Sequence, residues 1–259
     1  MQGGGGMTTP YYTDDHVTLY HGNYHDVLPE LEQVDHVIAD PPYSEHVHGS
    51  VRRRNITHRD RGARYGADTR RKVDLGFGHL TPEDRTFLSE QSARLVRRWV
   101  LMFSDTESAH LWREGLEGAG LDYVRTGAWI KIGSTPQFSG DRPATGFEAI
   151  TICHQPGRKR WNGGGKHAVW SVPIVLDRGA SGARLHTTQK PLELMSSLVD
   201  LFTDPGEVVL DFVAGSGTTL VAAKGLGRRA IGIEQDERYC EIAARRLAQD
   251  ALDFTEATV

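Results

Sequence analysis

Val208-Val209-Leu210-Asp211-Phe212-Val213-Ala214-Gly215-Ser216-Gly217-Thr218-Thr219 is an apolar run that ends on an acid, breaks at two glycines and resumes with helix formers. It reads as strand, tight loop, helix. Glycines at 215 and 217 let a ligand come close to the backbone beside a helix N-terminus, where N–H groups favour polar or anionic atoms. No Lys follows Gly217, so this is not a phosphate-cradling P-loop. The third glycine of a dinucleotide fingerprint is also missing. Asp211, Phe212, Val213, Ala214, Gly215, Ser216, Gly217 and Thr218 are therefore candidates for holding a nucleotide-like ligand.

The flanks extend the pattern. Ala230–Glu234 reads as a second strand and ends on an acid 17 residues after Gly217. An acid there can accept from both hydroxyls of a ribose, or simply cap the next helix. Glu237–Asp250 reads as that helix. Upstream, Pro191 opens a helix with Leu192, Met195, Leu198, Val199 and Phe202 at helical spacing. The segment before it, His186-Thr187-Thr188-Gln189-Lys190-Pro191, is by itself only a helix start. Farther back, Val17–Tyr20, Val34–Ala39, Val100–Phe103, Tyr123–Ile132 and Phe147–Cys153 read as strands. Thr81 starts a helix with Pro82, Glu83 and Asp84 in its first turn, and its expected inward face is Phe87, Leu88, Leu95 and Trp99. Glu107–Glu117 reads as a further helix stopped by Gly118 and Gly120. Strands alternating with helices predict an α/β fold: seven strands, mostly parallel, with helices on both faces.

Asp40-Pro41-Pro42-Tyr43 follows the strand that ends at Ala39. Two prolines hold the backbone extended at the strand's end and remove two N–H donors. Free carbonyls and the Asp40 carboxylate then offer acceptors, and Tyr43 offers a flat face. That set suits an amino group on a planar ring, with two acceptors for its two N–H bonds. An isolated tetrapeptide of this kind also serves as an ordinary turn with a capping Asp.

The chain of 259 residues carries a formal charge of −4, so charge distribution says more than the total. Residues 51–72 hold nine positive side chains, among them Arg52, Arg53, Arg54 and Arg59, against Asp60 and Asp68. Without apolar periodicity the stretch reads as a loop, either solvated or bound to phosphates. Its position directly after Tyr43 favours phosphates. A second basic group, Arg158, Lys159, Arg160 and Lys166, lies in the glycine-rich stretch between Gly133 and Leu185. Cys153 and Cys240 are the two cysteines, with no paired spacing for zinc or a disulfide framework. His21, His25, His46 and His48 complete no coordination set, so no metal is expected. No apolar run approaches a membrane span and no signal peptide is visible, which predicts a cytosolic protein without membrane contact. Met1 to Gly6 is an expression remnant or a flexible start and is left out of the fold reading.

Taken in order, Asp-Pro-Pro-Tyr, the His-x-x-Gln-Lys-Pro box, the Leu-Asp-x-x-Ala-Gly-Ser-Gly-Thr-Thr loop and the acid-tipped strand resemble the β class of amino-group DNA methyltransferases. The resemblance spans roughly Val17 to Leu247. It implies a Rossmann-like fold in permuted order, with the catalytic tetrapeptide ahead of the cofactor loop. It implies one methyltransferase domain in three parts: a catalytic half over 7–132, a target-recognition insertion over 133–185 and a cofactor-binding half over 186–259. S-adenosylmethionine is the implied cofactor, held by residues 211–218 and Glu234, with Asn23, His186 and Lys190 as further contacts. Leu19–Leu31 resembles the strand and loop that border the cofactor's adenine. Two departures stand out. Val213 occupies the usual Phe position, with Phe212 or another side chain left to compensate, and Asn23 stands where the family often has Asp.

The resemblance further implies DNA as partner, bound by the two basic groups, a homodimer as one possible assembly, and a cytoplasmic enzyme of prokaryotic or phage origin. Asp40, Pro41, Pro42 and Tyr43 are the implied catalytic set, acting on a base flipped out of the duplex. Asp at the first motif position favours the N6 amine of adenine, with the N4 amine of cytosine as the alternative. Methylation of RNA or of a protein amide, or a non-catalytic partner subunit, fit the motifs less well.

Overall fold

The computed structural model describes residues 9–42, 80–134, 141, 143–175 and 189–256. Its elements in chain order are β1 (Tyr12–Thr13), β2 (Val17–His21), α1 (Tyr24–Val27) with a 3-10 turn, β3 (His36–Ala39), α2 (Pro82–Leu95), β4 (Trp99–Ser104), α3 (Ala109–Gly118), β5 (Asp122–Ile132), β6 (Phe147–His154), β7 (Val169–Pro173), α4 (Leu192–Phe202), β8 (Val208–Asp211), α5 (Thr218–Gly225), β9 (Arg229–Glu234) and α6 (Glu237–Glu256). One sheet holds all nine described strands in the order β1-β2-β9-β8-β3-β4-β6-β5-β7. Only β1 and β6 run against the others.

Buried strands explain the sheet's two-sided core. In β4, Trp99, Leu101 and Phe103 join the cluster under α4, α5 and α6, while Val100 and Met102 join the cluster that includes Leu88 and Leu95 of α2 and Trp112 and Leu116 of α3. Successive side chains point to opposite faces, so a strand covered on both sides is apolar throughout. Each large side chain buried this way contributes about 1.5–3 kcal/mol.

Helix α2 starts as its sequence predicts. The Thr81 hydroxyl accepts from the Asp84 N–H at 3.1 Å and the Asp84 carboxylate accepts from the Thr81 N–H at 3.1 Å. Leu88 and Leu95 are buried, but Trp99 is not part of that helix. After Leu95 the backbone turns extended at Val96, and the N–H groups of Arg97 and Arg98 bond to Val34 and Asp35. Trp99 thereby opens β4, with its ring 5.2 Å from that of Phe202. Val34 makes only a bridge to Val96, and β3 begins at His36. Two strands exceed the expected seven: the short edge strand β1, and β7 within a stretch that reads as irregular.

Strands β3 and β8 lie side by side and parallel, His36 beside Val209 and Val37 beside Leu210. From β3 the chain goes on to β4 on one side. From β8 it goes to β9 on the other. The loops after these two strands therefore diverge and leave a crevice, which is where open α/β sheets bind ligands.

Candidate active site

Asp40 leaves β3 on one side of the crevice. Its Oδ2 accepts from the Lys190 ammonium at 2.5 Å, while its Oδ1 is buried without a hydrogen-bond partner. Lys190 sits just before α4, next to Pro191 at the helix cap. Its ammonium also forms an ion pair with Glu148 Oε2 at 2.9 Å, off hydrogen-bond alignment. Glu148 Oε1 pairs with Lys131 at 2.5 Å. Aromatic faces complete the enclosure: the Lys190 ammonium lies 5.0 Å from the Phe103 ring centre and 5.8 Å from that of Trp129.

The electrostatics follow from burial and pairing. Burial pushes the Asp40 carboxyl above its usual range; the Lys190 charge opposes this and the Glu148 charge adds to it. Burial also works against ionised Glu148, yet the two ammonium groups hold it at about 2. Lys190 stays firmly charged: burial disfavours its ammonium, but Asp40 and Glu148 outweigh that.

Across the crevice, β8 ends on Asp211. Its Oδ2 accepts from the Thr219 hydroxyl at 2.6 Å and its Oδ1 from the Val213 N–H at 3.1 Å. Burial nonetheless pushes its carboxyl up to about 7. The loop then turns through Gly215 and Gly217, with φ of 52° and 78°. Both values lie in the left-handed region where a side chain is strained. A Cβ on Gly217 would also lie 2.8 Å from the Ala243 Cβ of α6. Glu234, at the tip of β9, accepts from the Gly215 N–H and from the Asp236 N–H, each at 2.8 Å. Burial raises its carboxyl despite those two donors. The Gly22 N–H bonds to the Glu234 carbonyl at 2.9 Å, which seats Asn23 next to the acid. Asn23 Oδ1 accepts from the His25 N–H at 2.9 Å and caps α1.

One side thus offers a carboxylate oxygen that no described protein group satisfies. The other offers a glycine loop and an acid aimed by backbone N–H groups. Residues 34–245 match the N6/N4 methyltransferase family, described as DNA methylase.

The chain belongs to this DNA methylase family.

The methylase is 26% identical over 272 aligned positions to the type II methyltransferase M2.DpnII of Streptococcus pneumoniae, across 95% of this chain and 94% of that one. It is also 26% identical over 236 positions to the type II methyltransferase M.HinfI of Haemophilus influenzae, across 84% of this chain; it spans 64% of M.HinfI's length. Two crystal structures share the fold. One is a complex of M1.HpyAVI with S-adenosylmethionine, with a TM-score of 0.64 at 22% identity, covering 89% of this chain and 98% of that one. The other is the cytosine-N4-specific PvuII DNA methyltransferase, with a TM-score of 0.69 at 14% identity, covering 92% and 88%.

The methylase's cofactor is S-adenosylmethionine, and the β8–β9 side fits it. Left-handed glycines turn the loop tightly there, and at Gly217 a side chain would strike Ala243 of α6. Each Glu234 oxygen takes one backbone N–H, and a carboxylate oxygen has a second lone pair for a ribose hydroxyl.

Not every expected residue sits with its expected partners. Asp40, Pro41 and Pro42 stand at one lip of the crevice, and residues 211–218, Glu234 and Asn23 at the other. Lys190, expected among the cofactor contacts, instead grips Asp40 and Glu148. Phe212, next to the missing aromatic of the cofactor loop, turns inward. It is 2% exposed and packs in the core on the α1–α3 face, its ring 6.5 Å from that of Tyr24. Val213 is half-buried. Tyr43, His186, Arg52, Arg53, Arg54 and Arg59 lie outside the described residues.

The second basic group divides between the two ends of the sheet. Strand β6 runs against β4, with His154 opposite Trp99, so the chain after β6 emerges at the far end of the sheet. There the Arg160 carbonyl accepts from the Trp99 indole at 2.7 Å, Arg160 pairs with Asp204 at 3.0 Å and Lys159 with Asp122 at 2.7 Å. At roughly 3.3 Å per residue, the length of β4 separates this end from the crevice by about 17 Å. Arg158, Lys159 and Arg160, expected to bind DNA, thus stand at this far end of the sheet and not beside Asp40. Lys166 is exposed just before β7, whose Val169 is level with Ala128, Ala149 and Ser104 toward the crevice end.

Three site residues escape a reading by motif: Glu148, Lys131 and Arg246. Arg246 of α6 donates to the Ser216 carbonyl at 2.6 Å, the Ser216 hydroxyl at 3.2 Å and the Thr218 hydroxyl at 3.1 Å, and so clamps the glycine loop from behind. Glu148 carried a faint signal as an acid inside an otherwise mostly apolar strand, and Lys131 as a charge between two isoleucines.

Proposed function

We propose that the methylase transfers a methyl group to the N6 amine of adenine in DNA, with the base flipped out of the duplex. The observation that carries this reading is Asp40, at the end of the strand next to β8: one carboxylate oxygen is locked by Lys190 and the other is buried without a partner. A lone buried acceptor costs free energy unless a ligand donor meets it. An exocyclic amine is such a donor.

S-adenosylmethionine supplies the electrophilic methyl carbon. The protein's part is positioning and electrostatics. Asp40 Oδ1 accepts one amino hydrogen, and a carbonyl of the Pro41–Pro42 stretch, free of competing N–H donors, accepts the other. Two acceptors in the plane of the base turn the nitrogen lone pair toward the methyl group. The nitrogen would gain the methyl carbon as the sulfonium–methyl bond broke, leaving a neutral thioether, and it would shed one proton, which Oδ1 is placed to receive. Tyr43, next in the sequence, supplies the stacking face. Flipping costs a few kcal/mol of stacking and pairing, offset by these contacts.

Target recognition falls, on this reading, to the 133–146 connection between β5 and β6 and to the chain leaving β7, both at the crevice end of the sheet. Arg52, Arg53, Arg54, Arg59 and Lys166 bind phosphates. Asp rather than Ser at position 40 favours adenine over cytosine. Digestion of DNA methylated by the purified protein, followed by nucleoside analysis, tests the choice. N6-methyladenine is expected, and N4-methylcytosine would reassign the target.

A further inference from the structure

We propose that Lys190, Glu148 and Lys131 form a chain of alternating charge that fixes the orientation and charge state of Asp40, with Glu148 as its pivot. The inference rests on the reading of Asp40 as acceptor for the target amine. Three separate elements build the chain: Lys131 from the end of β5, Glu148 from the start of β6 and Lys190 from the approach to α4. The contacts run Asp40 Oδ2 to Lys190 at 2.5 Å, Lys190 to Glu148 at 2.9 Å and Glu148 to Lys131 at 2.5 Å. Lys190 and Glu148 are 8% and 7% exposed.

Such a cluster is a poor way to stabilise a fold, because desolvation offsets much of the attraction between buried ions. Its geometry suits another task. Lys190 occupies Oδ2 and so leaves Oδ1 as the oxygen that faces a ligand, with the carboxylate unable to spin. Two carboxyl groups face two amino groups, so their formal charges cancel. Removal of any one member changes the field at Asp40 by a full charge, and the sign depends on which member goes. Lys190 and Lys131 favour the Asp40 anion, whereas Glu148 opposes it. Glu148 also keeps Lys190 from being engaged wholly by Asp40, so that Oδ1 remains a strong acceptor. Asp211, at the tip of the neighbouring β8, is a further acid that feels the Asp40 charge.

These opposite signs make the test. Single-turnover methyl transfer from radiolabelled S-adenosylmethionine to genomic DNA of a methylation-deficient host is measured against pH for the parent, Lys190→Gln, Glu148→Gln and Lys131→Met, with cofactor affinity measured alongside. Lys190→Gln should reduce the rate about 100-fold through misplacement of Asp40, and its acid limb should move to higher pH. Glu148→Gln should move that limb to lower pH. Lys131→Met should move it slightly to higher pH, because its charge is one link farther away. Cofactor affinity should stay unchanged in all three. A limb that persists with Asp211→Asn belongs to Asp40 rather than to Asp211. If Lys190→Gln is inactive at every pH, the other two variants decide. Coincident acid limbs in the parent, Glu148→Gln and Lys131→Met would overturn the chain as a positioning device. Asp40→Asn separates the two levels: full turnover in that variant removes Asp40 itself, while an inactive variant with unmoved limbs in the others removes only the chain.

Discussion

Both ends of the sheet carry clusters of carboxylates and cations, buried at the crevice and half-buried at the far end, and they are built differently. At the far end, Glu207 and Asp204 are saturated. Glu207 takes His36 at 2.7 Å, the Asp204 N–H at 2.7 Å and Arg98, while Asp204 takes Arg98 at 3.1 Å, Arg160 at 3.0 Å and Asn162 at 3.1 Å. Every one of those four oxygens has a donor, and despite the burial opposing ionisation both carboxyls are held below their usual range. At the crevice end, Asp40 keeps one oxygen without a partner and its carboxyl is raised. A saturated carboxylate joins elements together. One with an acceptor left over is an acid kept for a ligand.

Removing one acid from each end should set the two designs farthest apart. Asp40→Ala should lower methyl transfer by about 100- to 10,000-fold with the fold and the cofactor site intact. Asp204→Ala should leave transfer per folded molecule unchanged and instead cost about 1–3 kcal/mol of stability through loss of its bonds to Arg98, Arg160 and Asn162. Rates and denaturant melts of both variants check this, and near-normal turnover by Asp40→Ala would end the distinction. The cofactor lip extends the contrast. Glu234→Ala should weaken S-adenosylmethionine by about 1.5–3 kcal/mol through loss of charge-assisted hydrogen bonds. Arg246→Met, which only releases the back of the loop, should cost about tenfold in affinity, or ~1.4 kcal/mol. Calorimetry with unchanged affinity in either would reject that role.

The pH dependence of stability offers a milder test. Asp211 has its folded value raised by burial to about 7. It binds more protons folded than unfolded between the two values, so its contribution to stability falls as pH rises from about 4 to about 7. Asp211→Asn keeps an acceptor for Thr219 and removes that titration. The variant should therefore gain on the parent as pH rises, with the gain vanishing near pH 4 in melts across this range. Equal pH slopes would place the Asp211 carboxyl back in its ordinary range.

DNA affinity should show the smallest change at the far end. Replacing Arg158, Lys159 and Arg160 by Ala should leave the salt dependence of binding as it was. Replacing Arg52, Arg53 and Arg54 should flatten it by about one unit of log–log slope for each phosphate no longer bound. Titrations at several salt concentrations separate the two groups, and the reverse pattern would refute the placement of both.

Most of the sheet was legible because buried strands write themselves as short apolar runs. Val208–Asp211 and Ala230–Glu234 could be read with their terminal acids in place. Trp99 misled because it falls four residues after Leu95 and so continues the helical period, although Val96 had already turned the chain. Strand β7 alternates correctly, Trp170 and Val172 inward, but at five residues ending in Pro it is too short to stand out among glycines. Of the site, the motif residues were legible and the partnership was not. Lys190 and Asp40 stand 150 residues apart, and no local pattern links them. The position of Arg158–Arg160 in the fold could have been read by following direction: a strand antiparallel to β4 returns the chain to the far end.

Everything at the crevice turns on one oxygen atom, Asp40 Oδ1. The decisive experiment is a crystal structure of the methylase with S-adenosylhomocysteine and a duplex containing its mapped target site. The exocyclic nitrogen of an extrahelical base is expected about 3 Å from Asp40 Oδ1, at hydrogen-bond distance, with Lys190 still on Oδ2. A target amine held by other groups, or Lys190 withdrawn from Asp40 in that complex, would refute the assignment of Oδ1 as the acceptor.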